Sequence, residues 1–337
     1  MNSSATTDLR HDGAAFAHLV EPHRAGLQAH CYRMLGSAHD AEDALQETLL
    51  RAWKGLAGFE GRSSLRSWLY RIATNVCLKQ IERRPKRVLP VDFGPPSDPH
   101  DVPDGPPADP VWLGPYPDAA LADSGAASPE VRHEQRESVE LAFVAALQHL
   151  PARQRAVLLM RDVLGFAPAE IAAALDASPA AVYSALQRAH AAVEERLPAH
   201  SQQATLRSVG DQGLRDLAQR YVAAWENGDV AAITALLTDD AGFAMPPRPS
   251  WYQGRAAIGL FLAAQPLSGP HRWRLAPVGA NAQPAFGTYL GTERGGPYAL
   301  HSIEVLTLDD SARLSAVTAF HAPEAFARFG LPLALPS

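Results

Sequence analysis

The 337-residue chain has very little cysteine, no long apolar run and a long stretch without positive charge. Its only cysteines, Cys31 and Cys77, cannot form the disulfide framework on which small secreted domains rely. No run approaches the ~20 apolar residues that cross a bilayer. Residues 1–12 lack the apolar core of a secretion signal and are predicted to be a disordered tail. These absences predict a cytoplasmic protein that does not enter a membrane.

The charge is distributed unevenly along the chain, although the net charge is only −6. Residues 14–87 carry 12 basic and 7 acidic side chains. Residues 88–130 carry no lysine or arginine, but 8 acids and 11 prolines. The whole-chain charge therefore hides a basic first domain, and the acidic, proline-rich stretch is predicted to be a linker. The remaining length is enough for one or two further domains.

Residues 40–87 open acidic and close basic. From Arg62 to Arg87 there are eight lysines and arginines against one acid, Glu82. Apolar residues recur between the charges at helical spacing. The pattern predicts a helix pair with an acidic face for one partner and a basic, aromatic-bearing face suited to nucleic-acid phosphates and unpaired bases. The alternative is a helical bundle whose charges are simply solvated.

These residues also carry a resemblance to a known family. DAEDALQETLLRAW followed by FEGRSSLRSWLYRIATNVCLKQIERR resembles region 2 of the sigma-70 family, in its extracytoplasmic-function group. The resemblance implies that the acidic helix docks on the β′ clamp helices of core RNA polymerase. It also implies that the following loop and helix melt and read the −10 element of promoter DNA.

The resemblance assigns two sets of site residues. The implied polymerase contacts are Asp40, Glu42, Asp43, Gln46 and Glu47. The implied −10 contacts are Phe59, Arg62, Ser63, Arg66, Trp68, Asn75, Arg83, Arg84 and Arg87. For Asn75, an ordinary surface or capping role is the alternative.

The linker contains one stretch that is not typical of a solvated tether. WLGPYPD, residues 112–118, places Trp112 and Tyr116 among prolines and acids. Because disordered segments contain few aromatics, this stretch is predicted to dock in a groove of a folded domain, as an interdomain latch. It resembles the WLxPYPD motif of sigma factors that have an additional C-terminal domain.

Residues 131–198 are predicted to be helical and to end in a helix-turn-helix. Pro168 and Pro179 suit first helical positions, and Ser178 suits an N-cap. The segment resembles sigma region 4, which reads the −35 element in the major groove. The outward residues of its second helix are Ala181, Ser184, Gln187 and Arg188. Because this helix has few arginines, a helical hairpin without a DNA role is the alternative.

A third domain is predicted over residues 211–330, after a polar spacer at 199–210. Two helices precede strands at 241–245, 271–279, 284–290, 298–308 and 312–321, with a helix at 255–264 among them. The order predicts a curved sheet wrapped around a long helix. The motifs DVAAITALLTDDAGFAMPP and WYQGRAAIGLFL resemble the SnoaL-like, or NTF2-like, cone fold.

Such cone folds enclose an apolar pocket, and some relatives are enzymes. The residues predicted to line a pocket here are Trp225, Trp251, Tyr252, His301, Glu304 and His321. His301 and Glu304 could form an acid–base pair. They lie three residues apart on a predicted strand, however, and would then point to opposite faces. The domain is therefore predicted to be regulatory, with an unidentified small ligand left open.

The chain is thus predicted to be a three-domain sigma factor with two all-α domains, at 13–87 and 131–198, and an α+β cone domain. No catalytic residue, metal or cofactor is predicted, because the spacing of His18, His23, His30 and Cys31 fits no familiar ligand set. Core RNA polymerase and promoter DNA are the implied partners. Two alternatives are a SnoaL-like enzyme fused to a DNA-binding module and a free-standing helix-turn-helix regulator.

Overall fold

The computed structural model describes residues 13–61, 63–101, 105, 112–122, 135–292, 295–321 and 323–337. The chain divides into two compact units. The helical unit contains the described parts of 13–87 and 119–197, and the sheet unit contains those of 88–118 and 198–337. In these described ranges, no helix is long and apolar enough to cross a membrane.

Three long helices form the first half of the helical unit. They are α1 (Gly13–Leu35), α2 (Ala38–Gly55) and α3 (Leu65–Ile81), with a 3₁₀ turn at Leu56–Gly58. Helix α1 continues through Pro22. It ends at Gly36, whose φ of 70° is the left-handed conformation that glycine adopts without steric cost. Ser37 and Ser64 cap α2 and α3 by accepting backbone hydrogen bonds.

Short helices form the second half of the helical unit. They are α5 (Ala119–Ala122), α6 (Leu141–Gln148), α7 (Ala152–Leu158), α8 (Pro168–Ala174) and α9 (Pro179–Glu194), with a π-helical turn at Leu159–Val163. The predicted caps are confirmed, because Pro168 and Pro179 begin α8 and α9 and Ser178 accepts from the Ala181 amide. Val182, Leu186 and Val193 bury one face of α9 and leave its other face to solvent.

A seven-stranded sheet and its helices form the sheet unit. The strands are β1 (Leu237–Ala244), β2 (Trp251–Gln253), β3 (Arg272–Ala280), β4 (Gln283–Gly291), β5 (Tyr298–Leu308), β6 (Leu314–Phe320) and β7 (Ala334–Leu335). The helices are α4 (Pro90–Phe93), α10 (Gln202–Glu226), α11 (Val230–Ala235), α12 (Arg255–Ala264) and α13 (Pro323–Phe326). The strand order is β2-β1-β6-β5-β4-β3, with β7 on β5; only β1 and β6 pair in parallel.

The core of the sheet unit lies between α10, α12 and the sheet. Leu217, Tyr221 and Trp225 recur every fourth residue on α10 and are almost fully buried, as the amphipathic pattern predicts. The sequence placed a spacer up to residue 210, whereas α10 begins at Gln202 and bends at Gly210, where φ is 72°. The short strands β2 and β7 were not predicted, because three and two residues give too little alternation to detect.

Candidate functional sites

The acidic helix α2 exposes a narrow stripe of polar side chains. Asp43 and Gln46 are exposed, and Glu47 accepts a 2.6 Å hydrogen bond from Arg51 at the surface. Leu50, 47% exposed, continues this stripe one turn further, because residues 43, 46, 47 and 50 share a helix face. Leu50 was not among the residues predicted for this face. An exposed leucine beside acids is the mixture expected of a protein-docking surface.

Asp40 differs from the other acids of this helix because it is buried. Its side chain is 7% exposed and lies 2.6 Å from the Arg84 guanidinium and 2.5 Å from that of Arg87. Burial by itself would raise the pKa of Asp40, but its hydrogen bonds and charge interactions with the two arginines lower the pKa overall. Three residues predicted to bind different partners therefore form one intramolecular ion-pair cluster that joins α2 to the segment after α3.

The predicted −10 residues lie on the loop before α3 and along this helix. Phe59 packs on Trp68 with ring centroids 4.9 Å apart, and both rings are half-buried. Ser63 and Asn75 are exposed. Arg62 lies outside the described residues. The loop and α3 thus offer a pair of aromatic rings, an exposed hydroxyl group and an exposed amide group, a chemistry suited to stacking and hydrogen-bonding unpaired bases.

Arg66 faces the second half of the helical unit. It donates a 2.8 Å hydrogen bond to the Leu164 carbonyl and lies 4.7 Å from the Phe166 ring centroid and 5.2 Å from that of Tyr70. The cation–π contacts and the hydrogen bond hold the guanidinium in place. Arg66 is therefore available to DNA only after this contact has opened, whereas Arg83 is already exposed.

A buried arginine joins the same two halves of the helical unit. Arg155, 4% exposed, donates hydrogen bonds to the Met34 carbonyl, to the Gln148 side chain at 2.6 Å and to the Leu150 carbonyl. Burial lowers its pKa to about 10. A buried guanidinium needs several partners to offset its desolvation, and here they come from both halves. The two halves consequently pack as one body in this structure.

The reading helix candidate α9 presents its outer face to solvent. The four predicted residues are Ala181, Ser184, Gln187 and Arg188, and all are exposed. Tyr183, which is 61% exposed, lies among them and was missed by the sequence analysis. This face offers one cation, one amide and two hydroxyl groups, the types of side chain that contact phosphates and base edges in a major groove.

The segment 112–118, called the latch segment below, lies against the β3–β4 hairpin of the sheet unit. The Tyr116 amide donates to Asn281 Oδ1 at 2.9 Å, and the Asn281 amide donates back to the Tyr116 carbonyl at 2.8 Å. Asp118 donates its amide to Gly279 at 3.1 Å and accepts from the Ala282 amide at 2.7 Å. The latch segment therefore binds the hairpin turn through backbone and side-chain hydrogen bonds together.

Both aromatic side chains of the latch segment are buried as well. Tyr116 is 0% and Trp112 7% exposed, and the Trp112 ring packs on Phe93 at a centroid distance of 5.3 Å. Earlier linker residues meet strand β2, because Trp251 Nε1 donates to the Gly94 carbonyl at 2.8 Å. Trp251 thus serves linker binding, in contrast to the prediction that it lines a pocket.

A cavity of about 540 Å³ lies in the sheet unit. Aromatic rings that line it include Trp225, Phe243, Phe261 and Trp273, and its polar lining includes Arg248, His271, His301, Glu304 and His321. Tyr252 stacks on Phe261 instead, at a centroid distance of 4.2 Å. Of the predicted pocket residues, four therefore line the cavity, and Trp251 and Tyr252 are used elsewhere.

His301 and Glu304 face the same cavity, and the prediction that they point to opposite faces is wrong. Strand β5 is irregular here: Ser302 pairs with Thr288 and Leu300 with Tyr289, which leaves His301 without a partner on β4. A bulge of this kind adds one residue and breaks the alternation of faces. Local sequence gives no clear signal for it, since no glycine marks the position.

Three family models match successive parts of the chain. Sigma-70 region 2 matches residues 19–87, sigma-70 region 4 matches residues 140–193, and the SnoaL-like domain matches residues 218–317. The matches confirm the predicted order of two sigma domains and one cone-shaped domain.

Whole-chain comparisons agree with the family models. The ECF RNA polymerase sigma factor SigG of Mycobacterium tuberculosis is 44% identical over 332 residues, covering 94% of this chain and 84% of the relative. SigE of Mycolicibacterium smegmatis, another such factor, is 29% identical and covers 59% of this chain and 68% of its own. The crystal structure of the M. tuberculosis extracytoplasmic function sigma factor SigJ has the same fold, with a TM-score of 0.56, 22% identity and coverage of 94% and 99%. The chain belongs to the ECF RNA polymerase sigma factors.

Proposed function

We propose that the C-terminal SnoaL-like domain controls this sigma factor by holding the linker between its two sigma domains. As a member of its family, the chain binds core RNA polymerase and directs it to promoter DNA. The observation that carries the proposal is the docking of the latch segment, which four hydrogen bonds attach to the domain and in which Tyr116 is fully buried.

The physical effect of docking is a loss of linker freedom. A free tether of this length samples many end-to-end distances, and two domains on it bind two DNA elements at an entropic cost. A linker held at Gly94, at Ser97 and over 112–118 has fewer conformations and sets which separations its flanking domains reach. Promoter reading also requires the Arg66 contact with Leu164 to open. Linker docking would therefore shift the equilibrium between the arrangement in which Arg66 contacts Leu164 and the arrangement that reads the promoter.

The turn that receives the latch segment supports this interpretation. Asn281 and Ala282 both have φ of 55°, a left-handed conformation that costs roughly 1–2 kcal/mol for a residue such as alanine. The Asp118 carboxylate accepts from the amide of this alanine. Docking therefore supplies a hydrogen bond to a strained turn, so the turn and the latch segment stabilise each other.

The experiment perturbs the contact from each side. Trp112→Ala removes a buried ring from the linker. Gly279→Ala acts from the domain, because its new Cβ would lie 2.7–2.9 Å from Asp118 side-chain atoms. Gly242→Ala is the matched control, a strand glycine of the same domain with nothing within 4 Å of the added Cβ. Run-off transcription at matched core-polymerase occupancy should fall for both test variants and for truncation before residue 205, and stay unchanged for the control.

One outcome would contradict the proposal, and one control guards against misfolding. Equal run-off activity in all variants would leave the C-terminal domain without a regulatory role. Loss of core binding by Gly279→Ala would point to misfolding, so the affinity for core polymerase is measured beside transcription. We further propose that the C-terminal domain acts by binding and not by turnover, since sigma factors, the family to which the chain belongs, work through macromolecular contacts.

A further inference from the structure

The cavity of the sheet unit contains a carboxyl group that is only partly satisfied. Glu304 is 3% exposed, and its Oε2 accepts a 2.7 Å hydrogen bond from the Tyr221 hydroxyl. Within the part of the chain that the structure describes, no hydrogen bond is formed by its Oε1, although the side chain lines the cavity. Buried polar groups are normally paired. A carboxyl oxygen that forms no hydrogen bond, on a side chain that is 3% exposed and lines a cavity, indicates a ligand site.

The other polar groups of the cavity include several hydrogen-bond donors. Arg248 contributes a permanent positive charge, and His271, His301 and His321 contribute imidazole N–H groups. The rings of His301 and His321 lie 4.6 Å apart at their centroids. When protonated, Glu304 adds an O–H donor. The cavity thus offers several donors, and one of them, Arg248, carries a permanent positive charge.

The protonation states agree with this description. Burial raises the pKa of Glu304 to about 7. Burial, the neighbouring His301 and the Arg248 charge lower the pKa of His321 to about 3. Burial and the charges of Arg248 and His271 also lower the pKa of His301. Near neutral pH these two imidazoles are uncharged, and Arg248 is the lining side chain that favours an anion.

The walls set the shape of the ligand. Trp225 and Trp273 pack edge to face at 5.4 Å, and Phe243 and Phe261 lie at 5.7 Å, so the cavity is bounded by aromatic rings. Aromatic walls bind flat apolar molecules through large contact area and stacking. A volume of about 540 Å³ is typical of sites for drug-sized ligands.

We propose that this cavity binds a ring-bearing organic acid, whose acidic group lies towards Arg248 and the imidazoles and whose rings pack between the tryptophan and phenylalanine walls. The site binds the acid most tightly when the Glu304 carboxyl is protonated. The inference concerns ligand binding alone and does not depend on the proposed control of the linker.

The experiment uses two fluorescent probes with the same ring system. 8-Anilinonaphthalene-1-sulfonate is a ring-bearing anion, and N-phenyl-1-naphthylamine lacks its sulfonate. Titrated into the full-length protein at pH 6, the anionic dye should bind about tenfold more tightly than the neutral dye. Arg248→Gln should remove this preference by weakening the anionic dye about tenfold, the loss of one hydrogen bond to a charged group. Binding of the neutral dye should not change, which also reports that the variant is folded.

Glu304 is tested by the pH dependence of dye affinity. With a pKa of about 7, this carboxyl is mostly protonated at pH 6 and mostly ionised at pH 8. Affinity for the anionic dye should therefore fall about tenfold over this range. The other titratable groups around Glu304 are Tyr221 on α10, which donates to it, and the cavity-lining His271 before β3, His301 on β5 and His321 after β6. Glu304→Gln isolates the carboxyl and should flatten the profile.

Cavity filling locates the dye. Ala319→Phe adds a ring to a cavity-lining position that is 2% exposed and should abolish binding of both dyes. Unchanged dye binding by a folded Ala319→Phe variant would place the dye elsewhere and overturn the proposal. Equal affinity for the two dyes, or equal weakening of both by Arg248→Gln, would show that the cavity does not select anions. A pH profile that is the same in Glu304→Gln and wild type would remove Glu304 from the site.

Discussion

Replacing Asp40 should destabilise the first sigma domain, and this outcome separates a structural role from the predicted role in polymerase docking. Asp40→Asn removes the negative charge between two arginines and keeps the size of the side chain. The side chains of Arg84 and Arg87 are 48% and 21% exposed, whereas that of Asp40 is 7% exposed. The cluster therefore lies between a surface ion pair and a buried one.

The expected magnitude follows from this intermediate exposure. Exposed ion pairs contribute about 0–1 kcal/mol, and loss of one partner from a buried pair costs about 3–5 kcal/mol. We expect a loss of about 2 kcal/mol of local stability. Because the Asp40 pKa is lowered in the folded state, its contribution is present above the unfolded pKa and is lost as pH falls through the folded value. The difference between variant and wild type should therefore shrink below about pH 4.

Hydrogen exchange measured on peptides of the full-length protein is the suitable assay, because the chain has several domains and no single unfolding transition. A loss of about 2 kcal/mol should speed exchange of the slowest amides in α2 and α3 about 30-fold. Asp43→Asn, an exposed acid of the same helix, is the matched control and should leave exchange unchanged. If Asp40→Asn also leaves exchange unchanged, the ion-pair cluster has no structural role, and polymerase docking is again the role predicted for Asp40.

Two further predictions concern the partners. Reversing Asp43 and Glu47 to lysine should weaken the affinity for core polymerase at least tenfold without changing hydrogen exchange, since both are exposed; unchanged affinity in a binding titration would rule out this docking face. Arg83→Ala should lower the salt slope of promoter binding by about one, as expected for one phosphate contact, while Phe59→Ala should change −10 sequence preference. Filter binding at several salt concentrations and on altered −10 sequences is the measurement. If Arg83→Ala changes the sequence preference and Phe59→Ala lowers the salt slope, the roles of the loop and the helix end are assigned wrongly.

Much of the fold and family could be predicted from local pattern. The helix predicted at 255–264 and the strand predicted at 298–308 coincide with α12 and β5. These are long periodic segments, and periodicity survives whatever packs around them. The region 2 and region 4 motifs could also be recognised from the sequence. Each of their helices buries one face and therefore carries a periodic apolar pattern. The regular helices and strands could therefore be predicted without knowing which elements pack against them.

The candidate sites depended more strongly on long-range contacts. The charge pattern grouped Asp40 with the other acids. Nothing in the local sequence shows that Arg84 and Arg87, 44 and 47 residues further along the chain, form ion pairs with it. The aromatic content of the latch segment predicted docking but not its receiving surface, the β3–β4 turn at Asn281. That surface exists only after a hairpin has formed about 165 residues further along the chain.

The sequence by itself determined the order of domains, the helices and strands with clear periodicity, and the acidic and basic faces, because each depends on neighbours a few residues apart. Tertiary structure alone decided which charges are paired, where the linker lies and which side chains share the cavity. The bulge at His301 shows the physical reason most plainly. One unpaired residue in a strand reverses the facing of those beyond it, and pairing with β4, not composition, decides where that residue falls.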